Sequence, residues 1–196
     1  MQRLGFKPLV SSKLSAGARP HRPTLPAVRA DSPALEVMTD IDRVPAATVS
    51  AEVSLDRATD IMIVRGVRLL FVTDADGALI GLITSRDTLG ERPMQVLNGR
   101  GGSRSDLTVA DLMRKVEEID VIDWHDVELA CVGDILATLH RLGRHHLLVG
   151  MRDPKSGRLH VRGIFSVTQI GRQLGVPVQS FELASTFAEI EAALVH

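Results

Sequence analysis

The chain has 196 residues, of which 44% are hydrophobic but only 3% aromatic, so any core is aliphatic; the net charge is −1. No apolar run approaches the roughly 20 residues needed to cross a bilayer, and the single cysteine, Cys131, excludes an internal disulfide and reads as a small core residue. Charge is uneven: residues 1–30 hold six basic residues and no acid, while the other 166 hold 17 basic and 24 acidic ones, so the acidic body excludes a nucleic-acid footprint on the folded part.

Residues 1–33 contain five of the nine prolines and read as a basic, proline-rich N-terminal arm, extended or disordered. It fits an arm that wraps the domain or a partner subunit, a tail on an acidic surface, or a transit peptide. The first is preferred; the transit reading is disfavoured because no clear amphipathic helix pattern is present. A secretory signal is excluded by the missing apolar segment.

From residue 34 the pattern changes. Val37-Met38-Thr39 opens an apolar-rich unit. Leu55, Ala58, Ile61 and Met62 recur at spacings of three and four, which marks one buried helical face, and the chain then reaches Gly66. The strand Leu69-Leu70-Phe71-Val72 follows, then Asp74-Ala75-Asp76-Gly77, whose Asp-Gly is a tight-turn signal. The next strand ends in Gly81-Leu82-Ile83-Thr84-Ser85-Arg86-Asp87. An apolar strand running into a hydroxyl residue, with a polar residue three positions later opening a helix, places oxygens and helix amides where a phosphorylated ligand could sit. Between Gly90 and Asp106, a short apolar patch (Met94, Val96, Leu97) precedes Gly99-Arg100-Gly101-Gly102-Ser103-Arg104. The glycines predict a flexible linker, and Arg100 and Arg104 read as solvated charges, with a phosphate contact as the alternative.

Leu112-Met113-Arg114 opens a second unit built in the same order. An acidic run (Glu117, Glu118, Asp120, Asp123, Asp126) around Trp124 reads as a solvated loop and helix start rather than an acid–base pair. Val132, Ile135, Leu136, Leu139 and Leu142 form the next helical face, ending at Gly143, and His146-Leu147-Leu148-Val149 is the next strand. Gly66 to Gly143 and Val72 to Val149 are both offsets of 77. The longer hairpin Arg152 to Gly157 raises the offset to 82 at Gly163-Ile164-Phe165-Ser166-Val167-Thr168-Gln169. Surface turns tolerate such insertions. His140, His145 and His146 lie close in sequence, but no cysteine or acid completes a zinc spacing, so no metal site is expected. Cys131 and Ser166 lack a visible base and orienting group, so no catalytic residue is expected.

Val176, Val178, Phe181 and Leu183 predict an extended stretch around Pro177. Thr186 and Glu189 have capping-box spacing, and Phe187, Ile190 and Leu194 line one face of a short helix. Such a helix is marginal alone and must dock, on its own domain or on another subunit.

The ordered set, repeated twice over about residues 34 to 175, resembles the CBS-domain family. The first copy fits the family ending (glycine, two apolar residues, Ser or Thr, two variable residues, Asp) at every position. The second fits through Ser166 but has Gln169 in place of the Asp. The resemblance implies an α/β (α+β) fold of two β-α-β-β-α motifs, residues 34–98 and 107–175, packed with pseudo-twofold symmetry. Residues 99–106 would be the Gly/Arg linker and residues 176–196 a C-terminal extension with a short strand and helix.

It further implies a stand-alone regulatory or sensor protein, not an enzyme and without a required cofactor. An adenosine-type nucleotide (AMP, ADP, ATP or S-adenosylmethionine) would bind in the clefts between motifs, and the signal would pass to an unidentified protein partner. A cytoplasmic homodimer is expected, with no DNA and no membrane. The alternative is a non-catalytic scaffold or dimerisation protein with empty clefts, which Gln169 supports.

In the first cleft the resemblance implies that Thr84 bonds a phosphate, Ser85 and Arg86 neutralise it, Asp87 accepts from ribose hydroxyls, and the Leu69-Leu70 backbone faces the base. In the second and weaker cleft the corresponding residues are Ser166, Thr168 and Gln169, with His145 and His146 placed to meet a phosphate when protonated.

Overall fold

Two helices, one per motif, set the frame. α1 (Leu55–Arg65) buries Leu55, Ala58 and Met62, and the Ser54 hydroxyl before it accepts the Arg57 N–H at 3.3 Å. α6 (Val132–Leu142) buries Val132, Ile135, Leu136 and Leu139. Both end on a left-handed residue, Gly66 at φ 64° and Gly143 at φ 62°, where a side chain would be strained. A computed structural model gives these features and describes residues 7–21, 28–176, 187–190 and 192.

Each helix leads into an antiparallel hairpin. β3 (Leu69–Thr73) pairs with β4 (Leu79–Thr84), and β7 (His146–Arg152) pairs with β8 (Leu159–Ser166). The turns use one device at two lengths. Asp74 Oδ1 accepts the Asp76 and Ala78 N–H groups, and Asp153 Oδ1 accepts those of Lys155 and Ser156. The register shifts between Val72 and Thr73 and again between Val149 and Gly150, so the repeat extends to its irregularities.

One sheet has the order β2 (Thr48–Ser50), β3, β4, β5 (Arg114–Lys115); the other has β1 (Thr39–Asp40), β8, β7, β6 (Val121–Asp123). β2 and β6 run parallel to β3 and β7. The short opening strands exchange sheets: β1 joins the hairpin of the second motif, and β5 that of the first. Gly81 makes the β5 contact possible, since a Cβ there would lie 2.6 Å from the Arg114 carbonyl oxygen.

β3 is buried on both faces. Leu70 and Val72 join Leu55, Met62, Ile83 and Leu112 in the first core. Leu69 and Phe71 point the other way and join Leu82 and Leu148 in a core between the two sheets. The second motif's own core holds Val37, Leu139, Leu147, Phe165 and Ile170, together with Phe187 and Ile190 of the C-terminal helix. That helix therefore packs on its own domain, with Phe187 stacked on His140 at 4.7 Å. The expectations at Pro177, Val178, Phe181, Leu183, Thr186 and Leu194 lie outside the described residues.

The join between motifs is not the flexible linker expected. α2 (Ser85–Leu89) is followed by α3 (Arg92–Arg100), with Pro93 in its first turn. Arg100 pairs with Asp111 at 2.6 Å, Arg104 with Asp56 at 3.1 Å, and Asp106 accepts from the Ser103 N–H and hydroxyl. Both arginines thus tie the join to the body. The second motif continues through α4 (Val109–Leu112), α5 (Trp124–Leu129) and α7 (Val167–Gln173). Asp123 caps α5 by accepting the His125 N–H, so this part of the acidic run is a helix start, as its composition predicts.

Residues 7–21 of the arm form no helix or strand and are exposed. The arm then attaches: Val132 N–H donates to the Ser32 carbonyl and Gly133 N–H to that of Ala30, each at 2.9 Å.

Candidate ligand cleft

The hairpin register builds two matching corners. Leu69 lies opposite Thr84, and the Ser85 N–H donates to the Arg68 carbonyl at 3.0 Å. His146 lies opposite Ser166, and the Val167 N–H donates to the His145 carbonyl at 3.0 Å. Arg68 and Leu69 therefore occupy in the first motif the places of His145 and His146 in the second.

A cavity of about 510 Å³ opens between the motifs. The first motif contributes Thr84, Ser85, Arg86 and Asp87; the second contributes His145, His146 and Thr168. Residues assigned to two clefts thus line one, which corrects the sequence reading. Ser166 and Gln169 do not line it; Gln169 Oε1 accepts from the Thr39 hydroxyl at 3.4 Å. Nor do Leu69 and Leu70, whose side chains are spent on the inter-sheet and first-motif cores. Leu82, Ile119 and Leu148 supply the apolar lining instead.

Asp87, 8% exposed, is already engaged. Its Oδ2 accepts the Thr84 N–H at 2.9 Å and the Thr84 hydroxyl at 2.6 Å; its Oδ1 accepts from Arg92 at 2.6 Å. This is a capping arrangement closed by an ion pair. The Thr84 proton is committed to Asp87, so Thr84 meets an incoming phosphate only by exchanging that bond. α2 is five residues long, and its first amide, the Ser85 N–H, already donates to the Arg68 carbonyl, so its dipole adds little positive potential.

The positive potential comes from side chains. Arg68, Arg86, Arg92, Arg114 and Arg144 all line the cavity, against Asp87, Glu91 and Asp120. Arg144 approaches Asp120 only to 3.7 Å, and among the described residues its buried Nε has no hydrogen-bond acceptor. Burial, then the neighbouring Arg172, lowers the pKa of Arg68; burial, then Arg144, lowers that of Arg114. His145 and His146 are both pushed down to about 4, chiefly by burial. Arg86 and Arg68 add to this at His145, and His145 and Arg68 at His146. Arg86 Nη1 meets His145 Nε2. Among the described residues no cluster of His, Cys, Asp and Glu could hold a metal ion, and no helix is long and apolar enough to cross a membrane.

The fold is shared with an uncharacterised conserved protein from Pyrococcus horikoshii, 19% identical over 74% of this chain and 93% of that one, with a TM-score of 0.52. It is shared equally with a CBS-domain-containing protein from Agrobacterium tumefaciens, 19% identical over 78% and 98%, with a TM-score of 0.51. Residues 34–92 match the CBS domain family, and the chain shares the fold of these structures. A CBS-pair protein from Arabidopsis thaliana, solved in complex with AMP, is 21% identical over 72% of this chain and 94% of that one, at a TM-score of 0.46. No curated protein matches the chain.

Besides the apolar lining, the sequence reading missed four cleft arginines: Arg68, Arg92, Arg114 and Arg144. Two carried a signal. The offset of 77 leads from His145 to Arg68, and Arg114 closes the Leu-Met-Arg that opens the second motif. Arg92 and Arg144 reach the cleft by tertiary packing that no local pattern announces.

Proposed function

We propose that the chain is a CBS pair, a regulatory module that binds an adenosine-type nucleotide between its motifs and passes the event to a protein partner. The observation that carries the reading is the shared lining: Thr84 to Asp87 from one motif face His145 and His146 from the other across a single cationic cavity. A ligand that touches both motifs stabilises one relative arrangement, to the extent that it binds that arrangement better than others. Arg86 takes a phosphate, the remaining lone pair of Asp87 Oδ1 takes a ribose hydroxyl, and Leu82, Ile119 and Leu148 enclose the base. The adenosine moiety is what the CBS resemblance implies. Ile63 and Val64, exposed on α1, suit the two-fold contact of a homodimer in the cytoplasm.

A melting-temperature titration with AMP, ADP, ATP and S-adenosylmethionine tests this. Ligand at 100 times its dissociation constant adds about 2.7 kcal/mol, a shift of roughly 5 to 10 °C for a chain of this size. A saturable shift is the expected outcome. The second reading, a scaffold with no nucleotide, is favoured by the bonds that already satisfy Asp87; it predicts no shift at millimolar ligand and a partner recovered by pull-down regardless.

A further inference from the structure

Two of the five cleft arginines are answered by carboxylates: Arg92 by Asp87 at 2.6 Å and Arg144, loosely, by Asp120 at 3.7 Å. Three are not. Arg86, an exposed residue, meets among the described residues the imidazole of His145 and no carboxylate. Arg68 and Arg114 are half-buried, and among the described residues their side chains make no hydrogen bond and no ion pair, although Asp87 and Glu118 lie near enough to Arg114 to act on it through space. Glu91, the third acid of the lining, is exposed and pairs with none of them. Half-burying guanidinium groups without a directly paired carboxylate is unfavourable, and placing several in one cavity compounds it through mutual repulsion. The arrangement is complementary to an anion that enters the cavity.

The size of the excess selects the anion. One phosphate monoester brings a charge of about −1.5 to −2 and so balances the charge of about two guanidinium groups. Three unanswered groups match a longer chain of anionic oxygens, with each arginine offering a planar fork to a phosphate. A sulfonium ligand would set a positive centre against this lining. We propose that the cleft selects a nucleoside di- or triphosphate over a monophosphate, with Arg68 and Arg114 holding the phosphates beyond the first. This rests on the nucleotide reading above and specifies the ligand class.

Titration calorimetry without magnesium, on the wild type and on Arg68→Gln and Arg114→Gln, tests it with AMP, ADP, ATP and inorganic tripolyphosphate. ADP or ATP should bind about tenfold or more tighter than AMP, the gain of at least one charge-assisted hydrogen bond. Each variant should bring ATP down toward AMP and leave AMP nearly unchanged. Arg68→Lys and Arg114→Lys, which keep the charge, should retain part of the difference and guard against misfolding of the Gln variants. Equal binding of AMP and ATP, indifferent to these variants, overturns the inference and leaves the nucleotide reading standing. Tripolyphosphate binding that depends on Arg68 and Arg114, with no adenosine ligand bound, supports a polyphosphate cleft and overturns the nucleotide reading. Silence from all four probes overturns both.

Discussion

Arginine has no acceptor atom, so the contact between Arg86 Nη1 and His145 Nε2 requires a neutral ring with its proton on Nδ1. This agrees with the folded-state pKa of about 4 at both His145 and His146. The charges around the pair are Arg68, Arg86 and Arg114, opposed by Asp87. An unfolded histidine titrates near 6.5. Between about 6.5 and 4 the unfolded chain binds protons that the folded chain refuses, so stability falls as pH is lowered through this window and levels off below it. Asp106, Asp111, Asp134 and Asp153, all held below the usual carboxylate range by hydrogen bonds, lose their contribution only at lower pH. Melting curves of the wild type and of His145→Gln/His146→Leu should therefore converge above pH 7 apart from a fixed offset and diverge in favour of the variant toward pH 4.5. Parallel curves would sink the assignment. Leu at 146 is the natural replacement, because Leu69 fills the matching place in the first motif. At the same scale, Asp87→Ala should weaken nucleotide binding more than Gln169→Ala, since Asp87 lines the cavity and Gln169 does not. Losing the cap alone costs about 0.5 to 2 kcal/mol, so each variant's melting temperature is the control; equal effects on binding would refute the asymmetry.

Among the elements, the pairing of the opening strands is sensitive to a single methyl group. A Cβ at Gly81 meets the Arg114 backbone, which cannot yield without β5 leaving the sheet; the nearest atoms to one at Gly163 belong to the Met38 side chain, which can turn away. Gly81→Ala should thus destabilise clearly more than Gly163→Ala in denaturant titration, and the reverse order would refute the argument. Local pattern revealed much at this scale. The apolar spacings of α1 and α6, the glycines that end them and the two Asp-led turns were all legible, because each depends on residues within a few positions of one another. α3 was not. Its Met94, Val96 and Leu97 give no clean helical period, and it is held by the Arg100–Asp111 pair, a contact eleven positions apart. The glycines after it suggested flexibility where the chain makes a fixed turn.

At the scale of the molecule, the exchange of β1 and β5 and the inter-sheet core make the two motifs one unit, and neither was legible. The unbroken apolar run of β3 shows that it has two buried faces but not what each face meets. The cleft had the same limit: its motif residues could be read, while the arginines that set its charge come together only in three dimensions. Neighbouring residues of β3 now separate stability from coupling. Leu70 lies in the first motif's own core and Phe71 between the sheets, and neither lines the cavity. Leu70→Ala and Phe71→Ala should each cost about 2 to 5 kcal/mol of stability. Only Phe71→Ala removes the packing that fixes one motif against the other, so only it should weaken nucleotide binding when both variants are studied well below their melting temperatures. It should also broaden the unfolding transition as the motifs lose cooperativity. Equal loss of affinity in the two variants would mean that the cleft depends on global stability and not on the contact between sheets.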